Sequence, residues 1–193
     1  MQRDFDEQFR EFVKHLDNYY SSGTWSGFAI GNSGLIKSRN IDLIMHTFAD
    51  SGVSKQTSLF REELVYISQS FVFDRIKDFS EVKILSLPCA DGKEVYTLAA
   101  LCFDNDLDNF SIEGRDHSYE CISKAENGEY LIDRKKIQEI SDSIQKGYFS
   151  VTNSKFPEPN LKVSPKLKNK SEFYVQDILR EPLSDSYDLV FCL

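Results

Sequence analysis

The sequence predicts an α/β fold, an open sheet of parallel strands with helices packed on it. Two observations carry that expectation. The run Val82 to Leu87 is apolar enough for a buried strand, and it passes through a tight Pro88 to Gly92 loop into Tyr96, Leu98, Ala99 and Leu101 at helical spacing. The pattern then repeats. Phe110 to Asp116 is a second strand-like run ending in an acid, and the helix-like stretch Tyr119 to Asn127 follows it. Such units place the N–H groups of a helix start at the carboxyl edge of the sheet, where nucleotide-like ligands bind. A glycine loop alone does not define a site, because similar units occur in folds that bind nothing there.

The other elements follow from periodicity. Phe5, Phe9, Phe12, Val13 and Leu16 form one apolar face of an N-terminal helix. Glycine and serine around Phe28-Ala29-Ile30 mark a loop or short hairpin. Ile41, Leu43, Ile44 and Phe48 suggest a second helix, and Glu63 to Ile76 a third that leads to the first sheet strand. Strands near Ser111 to Gly114 and Asp188 to Cys192 are expected on either side of that strand, joined by right-handed crossovers. The lysines from Lys162 to Lys170 read as a solvated hairpin and turn.

Composition narrows the function. A chain of 193 residues, 40% hydrophobic, buries a core suited to one domain with a small appendage. Its net charge of −8 argues against nonspecific nucleic-acid binding, which rests on clustered Lys and Arg. Cys89, Cys102, Cys121 and Cys192 lack Cys-x-x-Cys spacing, so reduced buried thiols and a cytoplasmic location are expected. No window is long and apolar enough to span a membrane. His15, His46 and His117 form no metal or base constellation, so no metal site is expected. Asp116, at the end of the second strand, is placed to accept from two ribose hydroxyls of an adenosyl ligand, or to cap the helix that follows. The two roles are compatible.

Several segments resemble, in order, the motifs of the CheR-type chemotaxis-receptor methyltransferases. Thr57-Ser58-Leu59-Phe60-Arg61 is similar to the family's Thr-x-Phe-Phe-Arg, and Ser86 to Thr97 to its Gly-Cys-Ala-Thr-Gly-Glu-Glu-Pro-Tyr-Ser loop. Asp116 falls on the first acid of Thr-Asp-Ile-Asp, and Ala125 to Tyr130 on Ala-x-x-Gly-x-Tyr. Gly147-Tyr148-Phe149 and Leu161 to Leu167 resemble parts of a small β insertion at about 147–170. Val175 to Leu183 and Tyr187 to Cys192 resemble His-Asn-Leu-Leu-x-x-Pro-Leu and Phe-Asp-Leu-Ile-Phe-Cys. The resemblance implies a Rossmann-like methyltransferase sheet over residues 53–193, preceded by a helical and loop region over 1–52. Because the chain ends at Leu193, the sheet is expected to be incomplete at its C-terminal side.

It also implies S-adenosylmethionine as cofactor, S-adenosylhomocysteine as product, and a chemoreceptor cytoplasmic region as protein substrate. Arg61 would lie beside the cofactor carboxylate and the methyl donor, its fork suited to a carboxylate, and is the candidate catalytic residue. Thr57 would donate a hydroxyl to the same end. Glu94 matches the second loop Glu, Asp116 the ribose acid, and Asp177 and Ile178 would flank the adenine. A structural ion pair between Arg61 and Glu94 is the alternative for those two residues. Departures weigh on activity: Pro88 stands for the first loop glycine, Lys93 for the first Glu, Val95 for Pro, Ser118 for the second acid and Asp177 for Asn. Proline removes a backbone donor. Weak or absent cofactor binding is therefore expected of this chain. Two functions stay open: a protein-glutamate methyltransferase or a fragment of one, and a degenerate domain kept as a binding or regulatory module.

Overall fold

The computed structural model describes residues 25–29, 44–49, 58–60, 64–65, 68–152, 158–177, 183 and 185–192. Strands β1 (Trp25–Ala29) and β2 (Ile44–Ala49) come first. A π-helical turn, Ser68–Val72, runs into α1 (Phe73–Ile76), followed by β3 (Val82–Ser86) and α2 (Lys93–Asp104). Next come β4 (Phe110–Asp116), α3 (Tyr119–Asn127), β5 (Glu129–Leu131), α4 (Arg134–Glu139) and α5 (Ser141–Gln145). The remaining elements are β6 (Phe149–Thr152), β7 (Asn160–Val163), α6 (Pro165–Lys168), β8 (Ser171–Val175) and β9 (Leu189–Cys192).

The main sheet has the order β1-β2-β9-β3-β4-β8. All its pairs are parallel except β1 with β2. The expected central strand is therefore β3, flanked by β4 and β9. The apolar run around Ile41 to Phe48 is a correction. Residues 44–49 form β2, which pairs parallel with β9, because a short apolar run fits a buried strand as well as a helix and pairing decides between them. The strands beyond β9 thus come from the N-terminal part of the chain. The expected helix around Phe5 to Leu16 lies outside the described residues. The third expected helix is present over residues 64–65 and 73–76, with the π turn between them.

Strand alternation gives the sheet two unlike faces. Val82, Ile84, Ile112, Leu189 and Phe191 face one way and join Val95, Leu98, Ala99 and Cys102 of α2 in the main core. Burying a large apolar side chain contributes roughly 1.5–3 kcal/mol, so this layer dominates the packing. Leu85, Leu87, Val190 and Tyr187 form a smaller cluster, with Leu183 against it. The small sheet, order β5-β7-β6, is antiparallel and begins at Glu129, earlier than the insertion read from the sequence. Its Tyr130, Phe149, Leu161 and Val163 belong to the main core.

The lysine-rich segment does more than face solvent. Lys168 Nζ donates to the Glu126 and Asn127 carbonyls at 2.9 and 2.7 Å, satisfying the end of α3, where Gly128 adopts the left-handed conformation of a helix stop. Lys170 Nζ donates to the Asp108 carbonyl, and Lys166 lies 4.0 Å above the Phe103 ring. The ammonium groups of Lys168 and Lys170 thus find carbonyl acceptors, and that of Lys166 an aromatic face.

Candidate functional site

The site is built where β3 and β4 end. After Ser86 the chain forms the Leu87 to Gly92 loop, and Cys89 N–H donates to the Arg115 carbonyl at 2.9 Å, tying the loop to β4. Gly92 takes φ +81° at the start of α2. A Cβ there would lie 2.6 Å from Ala125 Cβ and 3.0 Å from the Phe173 ring. Glycine is required twice over, by backbone conformation and by the close approach of α2 to α3 and β8. Gly114 of β4 meets the same ring, with Phe173 Cδ1 2.7 Å from where its Cβ would stand.

Asp116 ends β4 buried, with both oxygens engaged. Its Oδ2 accepts from Ala90 N–H at 2.9 Å, and Oδ1 accepts from Ser118 N–H at 2.9 Å with the His117 ring 3.3 Å away. Asp116 is not the cap of α3. Ser118 fills that role, its hydroxyl accepting from Cys121 N–H, so the serine at the second-acid position has a structural task. An ionised carboxylate has about four lone-pair sites, which leaves Asp116 with accepting capacity beyond these contacts.

Glu94, on the first turn of α2, is also buried, and its Oε1 accepts from the Ser86 hydroxyl at 2.7 Å. Burial pushes the Cys89 thiol well above its ordinary range, and the carboxylates of Asp116 and Glu94 push it further the same way. Both acids therefore act on one loop side chain. Asp177 stands at the same edge, half-buried: β8 pairs Val175 with Asp116, and Gln176 N–H donates to the Asp116 carbonyl at 2.8 Å. Thr57, Arg61 and Ile178 lie outside the described residues. The residue before Arg61 docks on α2, since Phe60 N–H donates to the Thr97 hydroxyl at 3.0 Å.

The sequence does not disclose the loop's internal bonding. N–H groups of Cys89, Ala90 and Gly92 donate within the protein rather than toward the edge. Asp91 and Lys93 form an ion pair at 2.6 Å, and Lys93 Nζ lies 5.0 Å above the Tyr130 ring. The Tyr130 hydroxyl donates to the Asp91 carbonyl at 2.7 Å, which joins the small sheet to the loop. Among the described residues no His, Cys, Asp and Glu cluster has the makings of a metal site. No helix among them is long and apolar enough to cross a membrane.

A parallel open sheet with a glycine loop after its central strand and a buried acid after the next defines the α/β domains that bind nucleoside cofactors. Residues 55–193 match the CheR methyltransferase, SAM binding domain. The chemotaxis protein methyltransferase of Campylobacter jejuni subsp. jejuni serotype O:23/36 (strain 81-176) is 33% identical over 95 residues, 49% of this chain and 33% of the relative. The protein of that name from serotype O:2 (strain ATCC 700819 / NCTC 11168) aligns with the same identity and coverage. The aligned stretch thus spans about a third of these relatives' length. The chain belongs to the CheR methyltransferase family, and the cofactor of its domain is S-adenosylmethionine.

Proposed function

We propose that this chain is the cofactor-binding core of a protein-glutamate methyltransferase whose substrate is a chemoreceptor cytoplasmic region. The observation that carries this reading is the pair of buried acids, Asp116 and Glu94, at one loop on the carboxyl edge of β3 and β4. Asp116 has lone pairs left for ribose hydroxyls, and the half-buried Asp177 beside it accepts from the adenine amino group, with Ile178 packing on the base. Glu94 contacts the amino-acid end of the cofactor, and Thr57 and Arg61 bind its carboxylate. A cytoplasmic location goes with this substrate.

Held by Asp116, Asp177, Glu94, Thr57 and Arg61, S-adenosylmethionine would supply an electrophilic methyl group to a glutamate oxygen, with the sulfur as leaving group. The residues of the chain contribute alignment and exclusion of water rather than proton transfer. A second reading, a binding module without turnover, is favoured by the loop N–H groups that are already engaged inside the protein. Incubation with methyl-labelled S-adenosylmethionine and a chemoreceptor cytoplasmic fragment separates the two. Base-labile label on glutamate supports the methyltransferase; cofactor binding without label supports the module.

A further inference from the structure

On the face of β4 opposite Asp116, Arg115 is the hub of a polar network. Its side chain is 11% exposed. Nη2 donates to Glu113 Oε2 at 2.6 Å, to Asp185 Oδ2 at 2.9 Å and to the Tyr187 hydroxyl at 2.7 Å, while Nη1 donates to Gln176 Oε1. The guanidinium also lies over the rings of Tyr174 and Tyr187, 5.4 and 5.8 Å from their centroids. The Tyr187 hydroxyl donates in turn to Glu113 Oε2 at 2.6 Å. Burial works to lower the Arg115 pKa, but Glu113, Tyr187 and Asp185 together outweigh this and hold it above the ordinary value.

These partners share one piece of chain. The crossover from β8 to β9 leaves the sheet at Gln176 and must pass β4 and β3 before pairing resumes at Leu189. Gln176 opens that segment, and Asp185 and Tyr187 close it. Asp177 follows Gln176 directly. We propose that Arg115 is a positioning residue for the adenine side of the site, one guanidinium gripping both ends of the β8 to β9 crossover and so setting where Asp177 stands. This rests on the reading of Asp177 as the adenine acceptor. Where the resembled motif Thr-Asp-Ile-Asp has threonine, this chain has an arginine, and only a planar fork with five N–H groups serves so many acceptors at once.

The test compares S-adenosylhomocysteine with S-inosylhomocysteine, whose base carries oxygen in place of the amino group. The unaltered chain should prefer the adenine compound by about tenfold, the worth of one hydrogen bond to a charged acceptor. In Arg115→Lys the preference should fall toward one, with binding of the adenine compound weakened roughly tenfold to a hundredfold by the displaced segment. Asp185→Asn, at a side chain 55% exposed, loosens only the far end and should erode the same preference even if Arg115→Lys does not fold. A preference unchanged in the folded variants, whatever happens to their melting temperature, overturns the positioning role alone. An unaltered chain that binds both compounds equally overturns the placement of Asp177 and this inference with it. If it binds neither, the proposed function itself fails.

Discussion

Pro88 sits where the resembled loop has its first glycine, and the N–H groups of Cys89 and Ala90 beside it already donate to Arg115 and Asp116. A donor added at position 88 is therefore a gain the loop lacks. We expect Pro88→Gly to tighten S-adenosylhomocysteine binding by up to about tenfold, one hydrogen bond's worth, and by more than Asp177→Asn does. Titration of the two variants checks the order. The acid at position 116 was legible in the sequence because strand ends and helix starts announce themselves in a short polar step after an apolar run. Its bonding was not. Of the two compatible roles, the capping one goes to Ser118, whose hydroxyl caps α3. Arg115 was invisible for a related reason, since its partners Gln176, Asp185 and Tyr187 lie far along the chain.

Three elements meet at Gly92: the start of α2, the body of α3 through Ala125, and β8 through Phe173. A side chain there must adopt a left-handed backbone and displace packed atoms. Gly92→Ala should cost about 2–4 kcal/mol of stability, combining the left-handed penalty with overpacking. Urea unfolding measures it, and a loss below about 1 kcal/mol would mean that α2 and α3 separate more easily than their contact implies. The β3, α2, β4 and α3 series was readable because each apolar run was followed by a turn signal and a change of period. Ile41, Leu43, Ile44 and Phe48 suggest a helix but suit either period, and only the distant partner β9 makes residues 44–49 a strand. β5 is three residues long, too short to signal itself, and its place beside β7 is a tertiary fact.

Across the whole molecule the core holds groups that must stay neutral. Burial raises the Cys89 and Cys102 thiols above 9.0 and the Tyr96, Tyr130 and Tyr187 phenols above 10.0, while Tyr148 is pushed up to about 12, by burial first and then by Asp104. The unfolded chain releases these protons first. Stability should therefore be complete below pH 9.0 and fall as pH rises from there through about 12, seen as a declining urea midpoint. A flat midpoint over that range would contradict the burial of these groups. The same fold sets Asp116 at the edge where β4 ends, held between Ala90 and Ser118. Calorimetric titration of S-adenosylhomocysteine into the chain and into Asp116→Asn tests that site most directly. One-to-one binding, weak in the unaltered chain because Pro88 removes a loop donor, should weaken a further tenfold to a hundredfold, on the order of one charge-assisted contact, in the variant. Equal affinity in the two proteins, or no binding to the unaltered chain, would contradict it.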